Sequence, residues 1–163
     1  SRNAPAVVIS RNESAVILFR GGDVTRRAVE TTLERRNIRI VECLIDLRLR
    51  PRSAQRMGAE QRIAVDRMAL YATRRVRCGP AEVEVLRTRN GCVARIHAAG
   101  QTFVTLSGSA ALAAPVQADT LLASPARPDC VKYDAILSLS SDYRWMPEAL
   151  SSGQLCHSFS RAE

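Results

Sequence analysis

At 163 residues with 46% hydrophobic content, the chain is long enough to bury one substantial core and has a single-domain length. Its longest apolar stretches, Ala15 to Phe19 and Ala110 to Val116, fall far below the roughly 18 residues of a membrane-spanning helix, which excludes such a span. Lys and Arg outnumber Asp and Glu by 24 to 16, and the formal charge of +8 attracts any polyanion: nucleic acid, a microtubule surface or a phosphorylated partner. The start, Ser1 to Pro5, lacks an initiator methionine and the apolar core of a secretory signal, as expected of a piece of a longer protein.

Residues 6 to 9 and 15 to 19 are short apolar runs rich in β-branched side chains, which predicts strands buried on both faces, joined by a turn over residues 10 to 14. The second run ends in Arg20-Gly21-Gly22-Asp23. From Val24 to Asn37 the spacing turns helical, with Val24, Ala28, Val29 and Leu33 near one face and Arg26, Glu30, Glu34 and Arg35 on the other. Asp23 is the expected N-cap and Asn37 the expected stop. Ile38 to Leu47 returns to β character and completes a β-α-β unit, whose two strands must run parallel.

Residues 48 to 57 read as a basic loop, with Pro51 and Ser53 as breakers and Arg48, Arg50, Arg52 and Arg56 as charge. Gly58 to Arg77 reads as a helix packed through Ile63, Met68, Leu70 and Tyr71, displaying Arg74, Arg75 and Arg77 and stopped by Gly79-Pro80. Glu82 to Thr88 alternates, Asn90-Gly91 signals a hairpin, Cys92 to His97 returns as its partner, and Thr102 to Leu106 adds a third strand. Residues 107 to 117, rich in Ala, Gly and Ser, read as a linker or weak helix.

The last quarter carries the sharpest pattern. Asp119-Thr120-Leu121-Leu122-Ala123-Ser124 precedes Cys130-Val131-Lys132, then Arg144-Trp145-Met146, then Leu150-Ser151-Ser152-Gly153. Lys132 is the only lysine of the chain. Asp129 is placed to cap a short helix through Val131, Ala135 and Leu139, a strand should overlap Ile136 to Ser140, and a last helix should open near Arg144 and end at Gly153. This order resembles the end of a BRCT domain, in which a buried strand leads to a helix opening near a lysine and a buried tryptophan anchors the final helix.

The resemblance implies an α/β fold: a central parallel sheet of about four strands flanked by helices, with an inserted helix and β-hairpin. It makes residues 1–163 one domain, with a core of 15–47 and 118–155 and an insertion of 48–117. In a second register the core starts at Glu82, Cys92 to Ala99 is the first helix, and Gly100 to Val104 is the glycine turn and strand. The Asn90-Gly91 signal argues against that register.

BRCT domains are phosphopeptide readers of nuclear, chromosome-associated assemblies in DNA repair, replication and the kinetochore, so the resemblance implies a nuclear, non-enzymatic interaction module without cofactor. Its phosphate-binding positions match Arg20, Gly21 and Lys132, with Gly22, Thr25 and Cys130 as secondary contacts. Backbone N–H groups ahead of a helix and that helix's positive end supply donors for a phosphate. Arg20 and Cys130 replace the usual hydroxyl residues. Arg20 either makes a bidentate phosphate contact or fills the pocket and pairs with an aspartate.

The alternative is a basic DNA- or microtubule-binding module that uses Arg48, Arg50, Arg52 and Arg56 together with Arg74, Arg75 and Arg77. Its weakness is the aromatic content of only 4%, which supplies few side chains for base stacking. Catalysis has little material. Cys92 with His97 or His157 has no framing motif, and Cys43, Cys78, Cys92, Cys130 and Cys156 include no C-x-x-C pair for a metal.

Overall fold

A computed structural model describes residues 6–52, 56–108, 116–123 and 131–138. The elements begin with β1 (Val7–Arg11), β2 (Ser14–Phe19), α1 (Asp23–Arg35), β3 (Ile40–Asp46) and β4 (Gln61–Ala64), followed by a 3-10 turn (Val65–Arg67). They continue with β5 (Thr73–Arg77), β6 (Glu82–Arg87), β7 (Gly91–Ala98), β8 (Gln101–Gly108), β9 (Val116–Ala123) and β10 (Val131–Ser138).

Two sheets result, one ordered β1-β2-β3-β4 and the other β10-β9-β8-β7-β6-β5. In the first, β2, β3 and β4 run parallel and β1 pairs antiparallel with β2. In the second, β5 to β8 form an antiparallel meander, and β8, β9 and β10 run parallel.

Alternation along each strand decides what lies between these layers. Val16, Leu18, Cys43 and Ile45 of the first sheet meet Val83, Val85, Ala94, Ile96 and Phe103 of the second in one buried cluster. The intervening residues Ile17, Phe19 and Leu44 point the other way and meet Val29 of α1 and Met57 of the β3–β4 connection. β2 is buried on both faces for this reason, and its unbroken apolar run follows. The architecture is a helix on a sheet on a sheet.

The β-α-β unit forms as the sequence predicts, with α1 over Asp23–Arg35. Gly22 rather than Asp23 is the N-cap, and no side chain caps that end. The other end closes as a Schellman motif: Asn37 sits at φ 52, its N–H donates to Glu34 O, and Ile38 N–H donates to Leu33 O. The hairpin of β6 and β7 and the third strand β8 also form. Arg89 and Asn90 make the β6–β7 tip, with Thr88 N–H donating to Gly91 O, so Gly91 belongs to the strand.

The BRCT-like architecture is overturned. No central parallel sheet flanked by helices exists among the described residues: α1 covers one face of the first sheet, and the second sheet covers the other. The expected core is split, because 15–47 lies in the first sheet while β9 and β10 belong to the second. Residues 48–117 are no insertion, since they supply β4, the antiparallel strands and much of the shared core.

The helix expected over Gly58 to Arg77 is replaced by β4, the 3-10 turn and β5. Its helical spacing loses to the open edges of β3 and β6, whose backbone groups need partners. The short helix expected after Asp129 is the strand β10, paired to β9 from Val131 to Ser138. The last helix around Trp145, the Asp129 cap, Cys130, Cys156 and His157 lie outside the described residues.

Candidate nucleic-acid interface

One end of the sandwich gathers the loops. The parallel strands β2, β3 and β4 finish there, at Phe19, Asp46 and Ala64. Arg20 crosses from that end to the C-terminal part of β8, so the β6–β7 tip, opposite Gly108 in register, lies at the same end. Loops at the carboxyl ends of parallel strands are the usual place for a ligand.

Three arginines of this end are turned inward and hold the loops. Arg20 donates through Nη1 to Leu106 O at 2.6 Å and through Nη2 to Thr105 Oγ1 at 2.5 Å, while its Nε is shut off from solvent without a partner. Burial pushes this guanidinium down from 12.5 to about 10, with the neighbouring Cys92 pulling slightly the other way. Burial likewise pushes the Cys92 thiol up to about 11, opposed by Arg20 and by a hydrogen bond with Ser107.

Arg48 forks onto Asp46, with Nη2 at 2.6 Å from Oδ2 and Nε at 2.8 Å from Oδ1, and stacks 5.2 Å from the centroid of Phe19. Its hydrogen bond to Asp46, though opposed by burial, raises its pKa above the ordinary arginine value. Arg87 donates to Asp66 O at 2.9 Å and to Met68 O, pinning the turn after β4 against β6.

In front of these braces stand exposed arginines. Arg50 and Arg52 follow β3, Arg67 ends the 3-10 turn, and Arg89 tips the β6–β7 hairpin. The uncapped, positive N-terminus of α1 opens at the same end. Three aspartates share it. Asp46 is committed to Arg48 and Asp66 is half-buried, while Asp23, 3.7 Å from Arg26, is exposed. Four exposed arginines against one exposed aspartate leave the rim net basic.

The residues singled out from the sequence divide. Arg20 spans the two sheets and spends its donors on protein acceptors, and Gly21, which is buried, lies beneath the loop with its carbonyl 3.5 Å from Arg48 Nη1. Gly22 caps α1 and Thr25 is buried in its first turn. Lys132 pairs with Gln117, five positions before the Leu137–Leu122–Thr105 row that receives Arg20. At about 3.3 Å per residue and two strand spacings of about 4.8 Å, its backbone stands about 19 Å from Thr105, the member of that row that holds Arg20. The structure does not bring Arg20 and Lys132 together.

Arg74, Arg75 and Arg77 lie on β5, an edge strand, and are exposed. Arg75 pairs with Glu84 at 2.7 Å and Arg77 with Glu82 at 3.0 Å. Arg56 is exposed on the return of the β3–β4 connection. Cys92 and His97 are five positions apart on β7, hence on opposite faces, and His97 Nδ1 lies 3.0 Å from Thr102 Oγ1. Sequence reasoning missed Arg67, Arg87 and Arg89. Only their single charges marked them, because chain folding, not spacing, joins them.

No family model, curated protein or solved structure matches the chain.

Proposed function

We propose that the protein is a non-enzymatic module that binds the phosphate backbone of a nucleic acid at this basic end. The observation that carries the reading is the exposed rim of Arg50, Arg52, Arg67 and Arg89, beside three arginines, Arg20, Arg48 and Arg87, whose own donors are spent on protein acceptors. Among the described residues these four guanidiniums make no hydrogen bond or ion pair, so they meet phosphates without first leaving a protein partner. The Arg20-Gly21 loop contributes support and the positive end of α1, and the phosphopeptide reading loses its central charge once Lys132 stands apart.

The test is fluorescence anisotropy of a labelled oligonucleotide at several salt concentrations. Four phosphate contacts on a single strand give a slope of log K against log salt of about −2.8, or roughly a 50-fold loss between 50 and 200 mM salt. Arg50→Gln, Arg52→Gln, Arg67→Gln and Arg89→Gln together should remove binding, whereas Arg74→Gln, Arg75→Gln and Arg77→Gln should leave most of it. Binding insensitive to salt or to the rim variant overturns the reading. So does phosphorylation-dependent capture of a peptide in the absence of oligonucleotide binding.

A further inference from the structure

The turn after β4 presents a knuckle that the backbone reading leaves unused. Ala72 N–H donates to Ala69 O at 3.0 Å, closing a β-turn whose central residues are Leu70 and Tyr71. Tyr71 has φ 61, while Leu70 is not in the left-handed region, which is the pattern of a type II turn. The third position of that turn suits glycine, and a tyrosine there is strained. Yet Tyr71 is 62% exposed and Leu70 46% exposed, so no core packing accounts for their presence.

The knuckle is fixed in place. Tyr71 N–H donates to Arg87 O, Arg87 N–H donates to Ala72 O, the Arg87 side chain holds Asp66 O, and Met68 is buried beneath. In sequence, the exposed Arg67 lies four residues before Tyr71, and the exposed Arg89 lies two residues beyond Arg87, whose carbonyl accepts from Tyr71 N–H.

We infer that Tyr71 is a stacking platform for an unpaired base, which makes the ligand of the basic end single-stranded nucleic acid. The inference rests on the backbone reading above and adds its ligand class. Arginines that hold successive phosphates leave the bases of a single strand free to turn, and an aromatic face among those arginines is where one would settle. A duplex keeps its bases stacked and offers the ring nothing. Leu70 beside it provides an apolar contact for the adjoining sugar.

Three probes of equal length separate the two claims: an oligothymidylate, an abasic deoxyribose-phosphate oligomer, and a duplex. The wild-type chain should bind oligothymidylate roughly 5- to 160-fold more tightly than the abasic oligomer, the span that one stacked base confers. Tyr71→Phe should keep that ratio. Tyr71→Ala and Tyr71→Gly should abolish it while leaving abasic binding unchanged, and Tyr71→Gly, which suits the turn, guards against a folding artefact. If the ratio survives both variants, or the duplex binds as tightly as the single strand, the stacking inference falls while the backbone reading stands. If the wild type binds none of the probes, both fall.

Discussion

Arg20 is a charge held between two sheets with no carboxylate partner among the described residues, and its replacement should not follow the usual order of conservative change. Pushing the guanidinium from 12.5 to about 10 corresponds to about 3 kcal/mol against the charged form. Its two donors to Thr105 Oγ1 and Leu106 O each return about 1.5–3 kcal/mol. Arg20→Met removes both terms together, so the net loss should be small, about 1–2 kcal/mol. Arg20→Lys keeps a charge between the sheets, more strongly hydrated than a guanidinium and unable to fork onto two acceptors, and should lose about 3 kcal/mol. With an m-value near 2 kcal/mol/M, the urea midpoint falls by about 1.5 M for Lys and by about half as much for Met. Unfolding followed by circular dichroism at unchanged m-value reads the difference. A lysine variant as stable as the methionine one would refute the claim that this charge is desolvated.

Three further outcomes follow from the same geometry. Ala99 and Gly100 join β7 to β8 with φ 49 and 74, the two positive values of a type I′ turn, so Ala99→Asn should stabilise by about 0.5–1 kcal/mol and raise the melting temperature by a few degrees. Leu18 is fully buried between the sheets, and Leu18→Ala should cost about 3–5 kcal/mol in denaturant unfolding, whereas Val24→Ala on the exposed side of α1 should cost under about 0.5 kcal/mol. Burial pushes Cys92 up to about 11 and Cys43 up to about 12 from 9.0, so the unfolded thiols ionise first. The folded state then holds more protons, and stability should fall as pH rises from 9 towards 11 and 12, less steeply in Cys92→Ala. A stability flat over that range would contradict the burial of both thiols.

The legible parts of this fold are those whose reason is local. The β-α-β opening shows in the two-sided apolar run of β2 and in the spacing of Val29 and Leu33, and the alternation of Glu82 to Arg87 shows one face of a sheet. What misled was a reason that is not local. Residues 61–77 contain apolar side chains at helical separations, but Ile63 serves β4 beside β3 and Val76 serves β5 beside β6. Their conformation is set by open strand edges far away in sequence. β10 was readable: Val131, Tyr133, Ala135 and Leu137 alternate with Lys132 and Asp134, a period of two that the four-residue spacing of Val131 and Ala135 hides. In the candidate site, Arg48, Arg50 and Arg52 were visible as a cluster, whereas Arg67 and Arg89 enter it only through the ends of β4 and β6.

The inward and outward arginines carry the same charge and should respond to mutation in opposite ways. An inward one such as Arg87 holds Asp66 O and Met68 O in the segment that leads into the turn bearing Tyr71, and its Nε has no partner among the described residues, so it spends stability on fixing that segment. Arg87→Met leaves Asp66 O and Met68 O without their donor and should cost about 2–3 kcal/mol. Because the phosphate-facing rim stays intact in charge, the salt slope of oligonucleotide binding should be almost unchanged, while affinity drops through the looser turn. Arg89→Gln should do the reverse, sparing stability and flattening the slope by about 0.7. Measuring both quantities on both variants separates a brace from a ligand contact, and a slope change in Arg87→Met equal to that in Arg89→Gln would show that Arg87 itself reaches the phosphates.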